Sequence, residues 1–270
     1  MTDHYAVIGN PIAHSKSPQI HAMFAQQTGQ DISYEAILAP LDDFAAVVGQ
    51  LRKAGYKGCN ITVPFKFAAC HVTTQLTSRA QAAYTVNTIK FDGTSVIGDN
   101  TDGAGLICDI EVNLRFSLKE RRVLLLGAGG AAYGIVLPLL EAGAKLSVVN
   151  RTLAKAQQLG AAFSAKGQLE VYSYPELNGQ SFDCIINATS SGLSGEMPPL
   201  PPGIFSDGAL GYDMMYGQET PFMKFARMQG AQTVADGLGM LVEQAAESFD
   251  LWRGVRPRTA TVIAALRTAP

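Results

Sequence analysis

Apolar and polar positions along this chain alternate between two rhythms. Short runs rich in β-branched and aromatic residues read as strands: YAVIG (5–9), ISYEAIL (32–38), KGCNITV (57–63), VNTIKF (86–91) and SVIG (95–98). Helical spacing separates the first of them. SPQIHAMFAQQTG takes Ser17 as its expected cap, has proline in its first turn and closes at Gly29, and a second apolar stripe runs from Leu41 to Ala54 before Gly55. A new series opens at residue 121, where RRVLLLGAGGAAYGIVLPLLEAGAKLSVVNRT predicts strand, glycine turn, helix and strand. Apolar runs at 169–172, 182–188, 208–214 and 232–235 predict further strands. Residues 191–203, SGLSGEMPPLPPG, carry too much proline and glycine for regular structure and read as a surface loop. GMLVEQAAESFDLWRGVRP predicts an amphipathic helix with Trp252 on its apolar face, and a short helix closes the chain. Strands alternating with helices imply parallel sheets covered by helices, an α/β protein.

A length of 270 residues suits two domains of ordinary size. With 47% hydrophobic and 16% charged residues the composition is globular, and a net charge of −2 leaves no electrostatic footprint for nucleic acid or an anionic membrane. No apolar run is long enough to span a bilayer, and MTDHYAVIGNP lacks the basic-then-apolar pattern of a signal peptide, so a cytoplasmic protein is expected. Cys59, Cys70, Cys108 and Cys184 are scattered in apolar contexts and are expected to be reduced, buried thiols. His14 and His21 have no companion ligands, so no metal is expected.

Candidate chemistry gathers in two places. In VLLLGAGGAA (123–132) a glycine turn links an apolar strand to a helix. Gly127 permits the turn, Gly129 lets backbone approach a pyrophosphate, and the N–H groups past Gly130 face its charge. A small-residue turn with no ligand is the plainer alternative. The tip of the following strand sharpens the choice, because Asn150, Arg151 and Thr152 stand where an NAD site offers a carboxylate, with Lys155 one turn on. Arginine can pair with a 2′-phosphate that a carboxylate would repel, which favours NADP.

The second gathering lies at strand ends in the first hundred residues: GNPIAHSKSP with Ser15 and Ser17, NITVPFK with Thr62 and Lys66, YTVNTI with Asn87, and IGDNTDGAG with Asp102. Taken singly these read as helix caps, solvated turns or, for Lys66 between two phenylalanines, a snorkelling lysine. Together they suit a substrate bearing several hydroxyls and a carboxylate, with lysine and aspartate for proton chemistry.

These segments, with GAGGAA, NRT, NATSSGL, YDMMYG and DGLGMLVEQAAESFDLW, make the chain resemble the shikimate dehydrogenase family from end to end. The resemblance implies NADPH-dependent reduction of 3-dehydroshikimate to shikimate, on the route to chorismate and the aromatic amino acids. It implies Lys66 and Asp102 as the catalytic pair, and Ser15, Ser17, Thr62, Asn87, Tyr216 and Gln244 as substrate-binding residues. NADP(H) would be held by Gly127, Ala128, Gly129, Gly130 and Ala131, by Asn150, Arg151, Thr152 and Lys155, and by Thr189, Gly237 and Met240. The implied fold is a two-domain α/β architecture. Residues 1–102 and 239–270 would form a substrate domain on a mixed, mainly parallel sheet, and 103–238 a Rossmann-like NADP domain. An active site in the cleft between them, closing on binding, is expected of a monomer or homodimer that takes a small-molecule substrate. Two departures from the family pattern are Ala22, where asparagine is common, and Lys155, where many members carry arginine. A quinate/shikimate dehydrogenase and a non-catalytic NADPH-binding regulator are the alternatives.

Overall fold

In a computed structural model, which describes residues 2–189 and 195–268, the N-terminal strands assemble into one six-stranded sheet. They are β1 (Asp3–Gly9), β2 (Ile32–Leu38), β3 (Gly58–Ile61), β4 (Gln75–Leu76), β5 (Thr88–Asp92) and β6 (Ser95–Asp99), in spatial order β2-β1-β3-β5-β6-β4. Helices α1 (Ser17–Thr28), α2 (Phe44–Lys53), α3 (Lys66–Val72) and α4 (Ser78–Ala83) connect them. β1 runs parallel to β2 and β3, and β4 parallel to β6, whereas β5 is antiparallel to both β3 and β6. Only Gly93 and Thr94 join β5 to β6, which is too short for a parallel crossover, and Gly93 takes the left-handed conformation that such a hairpin turn requires. The sheet is therefore mixed and mainly parallel, as expected.

Several boundaries differ from the sequence reading. β3 ends at Ile61 rather than Val63, because Thr62 begins a turn closed by the Phe65 N–H to Thr62 carbonyl bond. Lys66 then opens α3, a short helix that the strand-dominated pattern hid. Ser17 does not cap α1. Lys16 holds the cap position, Ser17 is already helical, and its N–H donates to the Ser15 hydroxyl at 3.3 Å. Gly29 closes that helix with φ +65°. None of the four cysteines is in a disulfide, but only Cys59 and Cys184 are fully buried; Cys70 and Cys108 are half-buried.

The chain divides into two compact units, residues 1–105 with 241–270 and residues 106–240. Helix α5 (Asp102–Ile107) leads out of the first sheet into a π-helical stretch, Cys108–Asn113. The second unit is built on β7 (Arg122–Leu126), β8 (Lys145–Val149), β9 (Leu169–Tyr172), β10 (Phe182–Asn187), β11 (Phe205–Asp213) and β12 (Thr233–Ala235). Its helices are α6 (Gly130–Glu141), α7 (Leu153–Phe163) and α8 (Pro221–Met228). All six strands are parallel, in order β12-β11-β10-β7-β8-β9. The chain thus winds one way from β7 and the other way from β10, which is the Rossmann arrangement with its crevice at the carboxyl ends of those two strands. β7 shows why both faces must be apolar: Val123 and Leu125 pack with Ile135, Leu139 and Val148, while Leu124 and Leu126 pack with Ile185 and Phe222. Part of the 191–203 loop reading, and of the NATSSGL motif, lies outside the described residues.

The chain then enters α9 (Leu238–Arg253) and ends with α10 (Ala260–Thr268). Trp252 of α9 is buried in the first unit, where its indole N–H donates to the Ile89 carbonyl at 3.0 Å. Gly58 makes room for it, since a Cβ there would lie 2.5 Å from the indole nitrogen. Among the described residues no helix is long and apolar enough to cross a membrane, and no cluster of His, Cys, Asp and Glu could hold a metal ion.

Candidate active site

Strand polarity gathers the polar residues of the first unit. β1 and β3 are parallel and end together, while β5, running the other way, begins at that same level and β6 ends there. The register states it directly, as Val7, Asn60, Thr88 and Asp99 form one row across the four strands. Residues just past those ends, Thr62, Asn87 and Asn100 to Asp102, therefore collect on one edge of the sheet.

Lys66, at the start of α3, places its Nζ 2.5 Å from Asp102 Oδ2. The two side chains are 12% and 5% exposed, so the pair sits largely out of water while the ammonium keeps an opening to solvent. Asp102 Oδ1 accepts from Asn87 Nδ2 at 2.8 Å. Asn87 and Thr101 both lie within 3.3 Å of Gln244 Oε1, whose own Nε2 donates to the Leu241 carbonyl. Gly105 allows that approach of α9, since a Cβ there would stand 2.7 Å from the Gln244 backbone nitrogen.

The Asp99–Asp102 segment is not the solvated turn that its D-G dipeptide permits, because all four residues are buried. Asp99 is clasped by Arg79 at 2.7 Å and 2.6 Å and by the Thr77 hydroxyl. Asn100 donates to both Thr85 oxygens, and its own Oδ1 accepts the Asp102 N–H. A loop whose side chains consume one another's donors and acceptors holds its carboxylate in one position.

Ser15, Ser17 and Thr62 are carried on the two loops after β1 and β3. Gly9 lets those loops meet, since a Cβ there would fall 2.5 Å from the Thr62 methyl, and the Asn10 N–H binds the Val63 carbonyl at 3.0 Å. Thr62 and Ser15 are half-buried, and Ser17 is buried. Lys66 does not lie between two shielding rings: Phe65 is buried on Phe44, but Phe67 is 42% exposed. The helix turns successive side chains about 100° apart, so only one neighbour can face the core. Sequence reading placed Asn60, Thr88 and Thr101 in the polar clusters without a role of their own, and passed over Ser248 and Arg79. Ser248 did carry a signal, one helical turn after Gln244 on the same face.

In the second unit Gly127 follows β7 with φ +108°, and a Cβ there would lie 3.2 Å from the Ala188 carbonyl oxygen. Gly129 caps α6 and faces open space, so its missing side chain leaves the first-turn N–H groups accessible. Asn150 bridges to the Thr152 carbonyl at 2.9 Å. Arg151 and Lys155 are exposed, and neither side chain forms an ion pair or hydrogen bond with a described residue, leaving two cations at the tip of β8. A glycine cradle, an uncapped helix start and free cations suit a phosphorylated dinucleotide. Thr189 binds the Asn187 side chain at 2.7 Å at the end of β10. Gly237 packs on the Met214 carbonyl so closely that a Cβ would lie 2.3 Å away; Met240 is buried in this unit's core and Tyr216 is half-buried on the loop after β11.

Comparison with known proteins gives a consistent picture. Residues 7–89 match the shikimate dehydrogenase substrate-binding domain, 111–194 the shikimate/quinate 5-dehydrogenase family, and 237–267 the shikimate 5'-dehydrogenase C-terminal domain. The shikimate dehydrogenase (NADP(+)) of Nitrosospira multiformis is 57% identical over 271 residues, covering 100% of this chain and 98% of the relative. Among solved structures, an Ael1 enzyme from Pseudomonas putida superposes with TM-score 0.92 at 49% identity, covering 100% of this chain and 99% of that one. The shikimate 5-dehydrogenase of Thermus thermophilus, in complex with NADP(H) and shikimate, superposes with TM-score 0.88 at 32% identity, covering 98% and 99%.

Proposed function

The chain belongs to the shikimate dehydrogenase family, and on that premise we propose that it interconverts 3-dehydroshikimate and shikimate as an NADP-dependent alcohol oxidoreductase in chorismate biosynthesis. The observation that carries this reading is the Lys66–Asp102 contact, backed by Asn87 and set at the sheet edge where the other polar loops converge.

When bound, NADPH would supply the hydride. The backbone of Gly127, Ala128, Gly129, Gly130 and Ala131 would hold its pyrophosphate, and Asn150, Arg151, Thr152 and Lys155 its 2′-phosphate end. Thr189, Gly237 and Met240 are assigned to the nicotinamide end.

When the ketone is reduced, its oxygen gains negative charge and needs a proton. Lys66 has three N–H bonds and spends one on Asp102, so two remain to stabilise that oxygen and deliver the proton. Each Asp102 oxygen accepts one bond within the protein and keeps a lone pair for the reacting or neighbouring hydroxyl. Ser15, Ser17 and Thr62 offer small hydroxyl donors for the substrate carboxylate, and Asn87, Gln244 and Tyr216 the partners for its hydroxyls. The protein is read as a cytoplasmic monomer or homodimer acting on small molecules.

Initial rates of NADP reduction at alkaline pH, with shikimate and with quinate, test the assignment. Shikimate is expected to be oxidised with at least a hundredfold higher kcat/KM. Equal efficiency on quinate would move the chain to the quinate/shikimate branch, and no oxidation of either would refute the activity.

A further inference from the structure

Behind the Lys66–Asp102 pair lies a second layer of polar side chains, all buried, with no obvious reason to be polar: Asn60 on β3, Thr88 on β5 and Ser248 on α9. Asn60 and Thr88 are opposed in the antiparallel register, so their side chains share one face of the sheet. Asn60 Nδ2 lies 3.0 Å from Thr88 Oγ1 and 2.9 Å from Ser248 Oγ. The Thr88 hydroxyl is 2.8 Å from Asn87 Oδ1, and Asn87 Nδ2 reaches Asp102 Oδ1 at 2.8 Å.

Counting protons gives this cluster a direction. The Asp102 carboxylate only accepts, so Asn87 must turn its NH2 toward it. The Thr101 backbone N–H only donates, and it lies 2.9 Å from Asn87 Oδ1, so the other end of the amide must be oxygen. Asn87 then spends its two protons on Asp102 and on Thr101 Oγ1. The Tyr34 phenol donates to Asn60 Oδ1 at 2.7 Å, which leaves the Asn60 NH2 for the two hydroxyls. Burial pushes the Tyr34 phenol well above its ordinary pKa, so it remains a donor throughout the working range of pH. Ser248 Oγ also lies 2.8 Å from Thr88 Oγ1, closer than the Gln244 carbonyl at 3.1 Å, and gives its proton to that threonine oxygen. Thr88, already receiving a proton from Asn60, has one to give, and Asn87 Oδ1 takes it. The order runs Tyr34 to Asn60 to Thr88 to Asn87 to Asp102, every donor pointing toward the catalytic carboxylate.

We propose that Thr88 is a positioning residue for the reaction: its hydroxyl, oriented by Asn60, fixes the Asn87 amide so that the Asp102 carboxylate is held on Lys66. Thr88 is fully buried and reaches the Asp102 carboxylate through Asn87. Thr101 N–H is the other donor fixing that amide oxygen through backbone geometry; Thr88 supplies the side-chain constraint, which substitution can remove. The inference rests on the dehydrogenase reading above.

Thr88→Val removes the hydroxyl at nearly constant shape, and Thr88→Ser restores it without the methyl. In NADP reduction with shikimate, Thr88→Val is expected to lower kcat about tenfold, equivalent to about 1.4 kcal/mol of barrier, with KM for NADP within twofold of the parent. Thr88→Ser should recover kcat to within threefold. A valine variant with parental kcat, or a serine variant as slow as the valine one, overturns the proposal, because loss of packing alone would not follow the hydroxyl. A readout independent of turnover is hydrogen exchange of the Asn87 side-chain ¹⁵NH₂ in the ligand-free protein. It should quicken at least tenfold in Thr88→Val and not in Thr88→Ser; unchanged exchange also overturns the proposal. That measurement separates the two readings, since a parent protein inactive on shikimate refutes the activity while the exchange still decides the role of Thr88. Should Thr88→Val fail to fold, Thr88→Ala removes the same hydroxyl without placing a second methyl among polar groups, and it is judged by the same readouts.

Discussion

Replacing Asp102 by asparagine changes almost nothing in shape and much in charge. The carboxylate sits between two donors, the Lys66 ammonium at 2.5 Å and the Asn87 amide at 2.8 Å. An asparagine can offer oxygen to only one of them, and whichever way it turns, its NH2 meets the other donor. Asn87 is kept from flipping to relieve the conflict by two donors on its oxygen, the Thr101 N–H at 2.9 Å and the Thr88 hydroxyl at 2.8 Å. Breaking a buried ion pair by removing one partner costs about 3–5 kcal/mol. Lys66 keeps 12% exposure and with it some hydration, so the expected loss of stability is at the low end or below, about 2–3 kcal/mol. Turnover should suffer more than stability. The lysine loses the charge that orients it and the substrate loses an acceptor, a change worth about 10²–10³ in kcat by the usual scale of proton-transfer catalysis. Urea denaturation at pH 7 gives the first quantity and NADP reduction with saturating shikimate the second. An Asp102→Asn protein within tenfold of the parental kcat, or as stable as the parent, would refute the reasoning.

Other consequences follow from the same structure. Arg151→Ala removes an exposed cation whose side chain forms no hydrogen bond or ion pair with a described residue, so stability should change by less than about 0.5 kcal/mol. The preference for NADP over NAD should fall about ten- to a hundredfold, as expected for one or two charge-assisted bonds; an unchanged ratio of kcat/KM values would remove Arg151 from the cofactor site. His21 is fully buried, stacked on Tyr34 with ring centroids 4.1 Å apart, and burial lowers its pKa to about 3. The unfolded chain therefore binds a proton that the folded one refuses between pH 6.5 and about 3, and stability must fall as pH drops through that window. The full difference is worth at most about 5 kcal/mol. His21→Phe should flatten the acid limb of a plot of stability against pH, and an unaltered slope would exclude His21 as its source.

How much of this was readable in the sequence depends on whether local or long-range constraints decide. The strand–turn–helix of residues 122–141 was legible because an apolar strand, a glycine at φ +108° and a small-residue helix start are all local requirements. Gly29 as a helix stop was legible for the same reason. The Ser17 cap was misread because Ser and Pro at a helix start look alike whether the serine stands outside the helix or within its first turn. The strands of the antiparallel β5–β6 hairpin were legible, and Asp92–Gly93 between them is the local signal for the turn that joins them. Lys66, Asn87 and Asp102 stood out as polar breaks in apolar runs. Asn60, Thr88 and Ser248 stayed hidden as a group, since only the register of β3 on β5 and the return of α9 make them neighbours. Arg79, which clasps Asp99, carries no local signal of that role, because its partner lies twenty residues on, at the end of β6.

On the proposed mechanism Lys66 stabilises and protonates the reacting oxygen, and everything else at the site serves that step. The most direct measurement is kcat for shikimate oxidation by Lys66→Ala, paired with the dissociation constant for shikimate from calorimetry. The expected result is that kcat falls by at least about 10³, while shikimate binding changes less than tenfold, because the lysine acts chiefly in the transition state. A variant that retains near-parental kcat would contradict it.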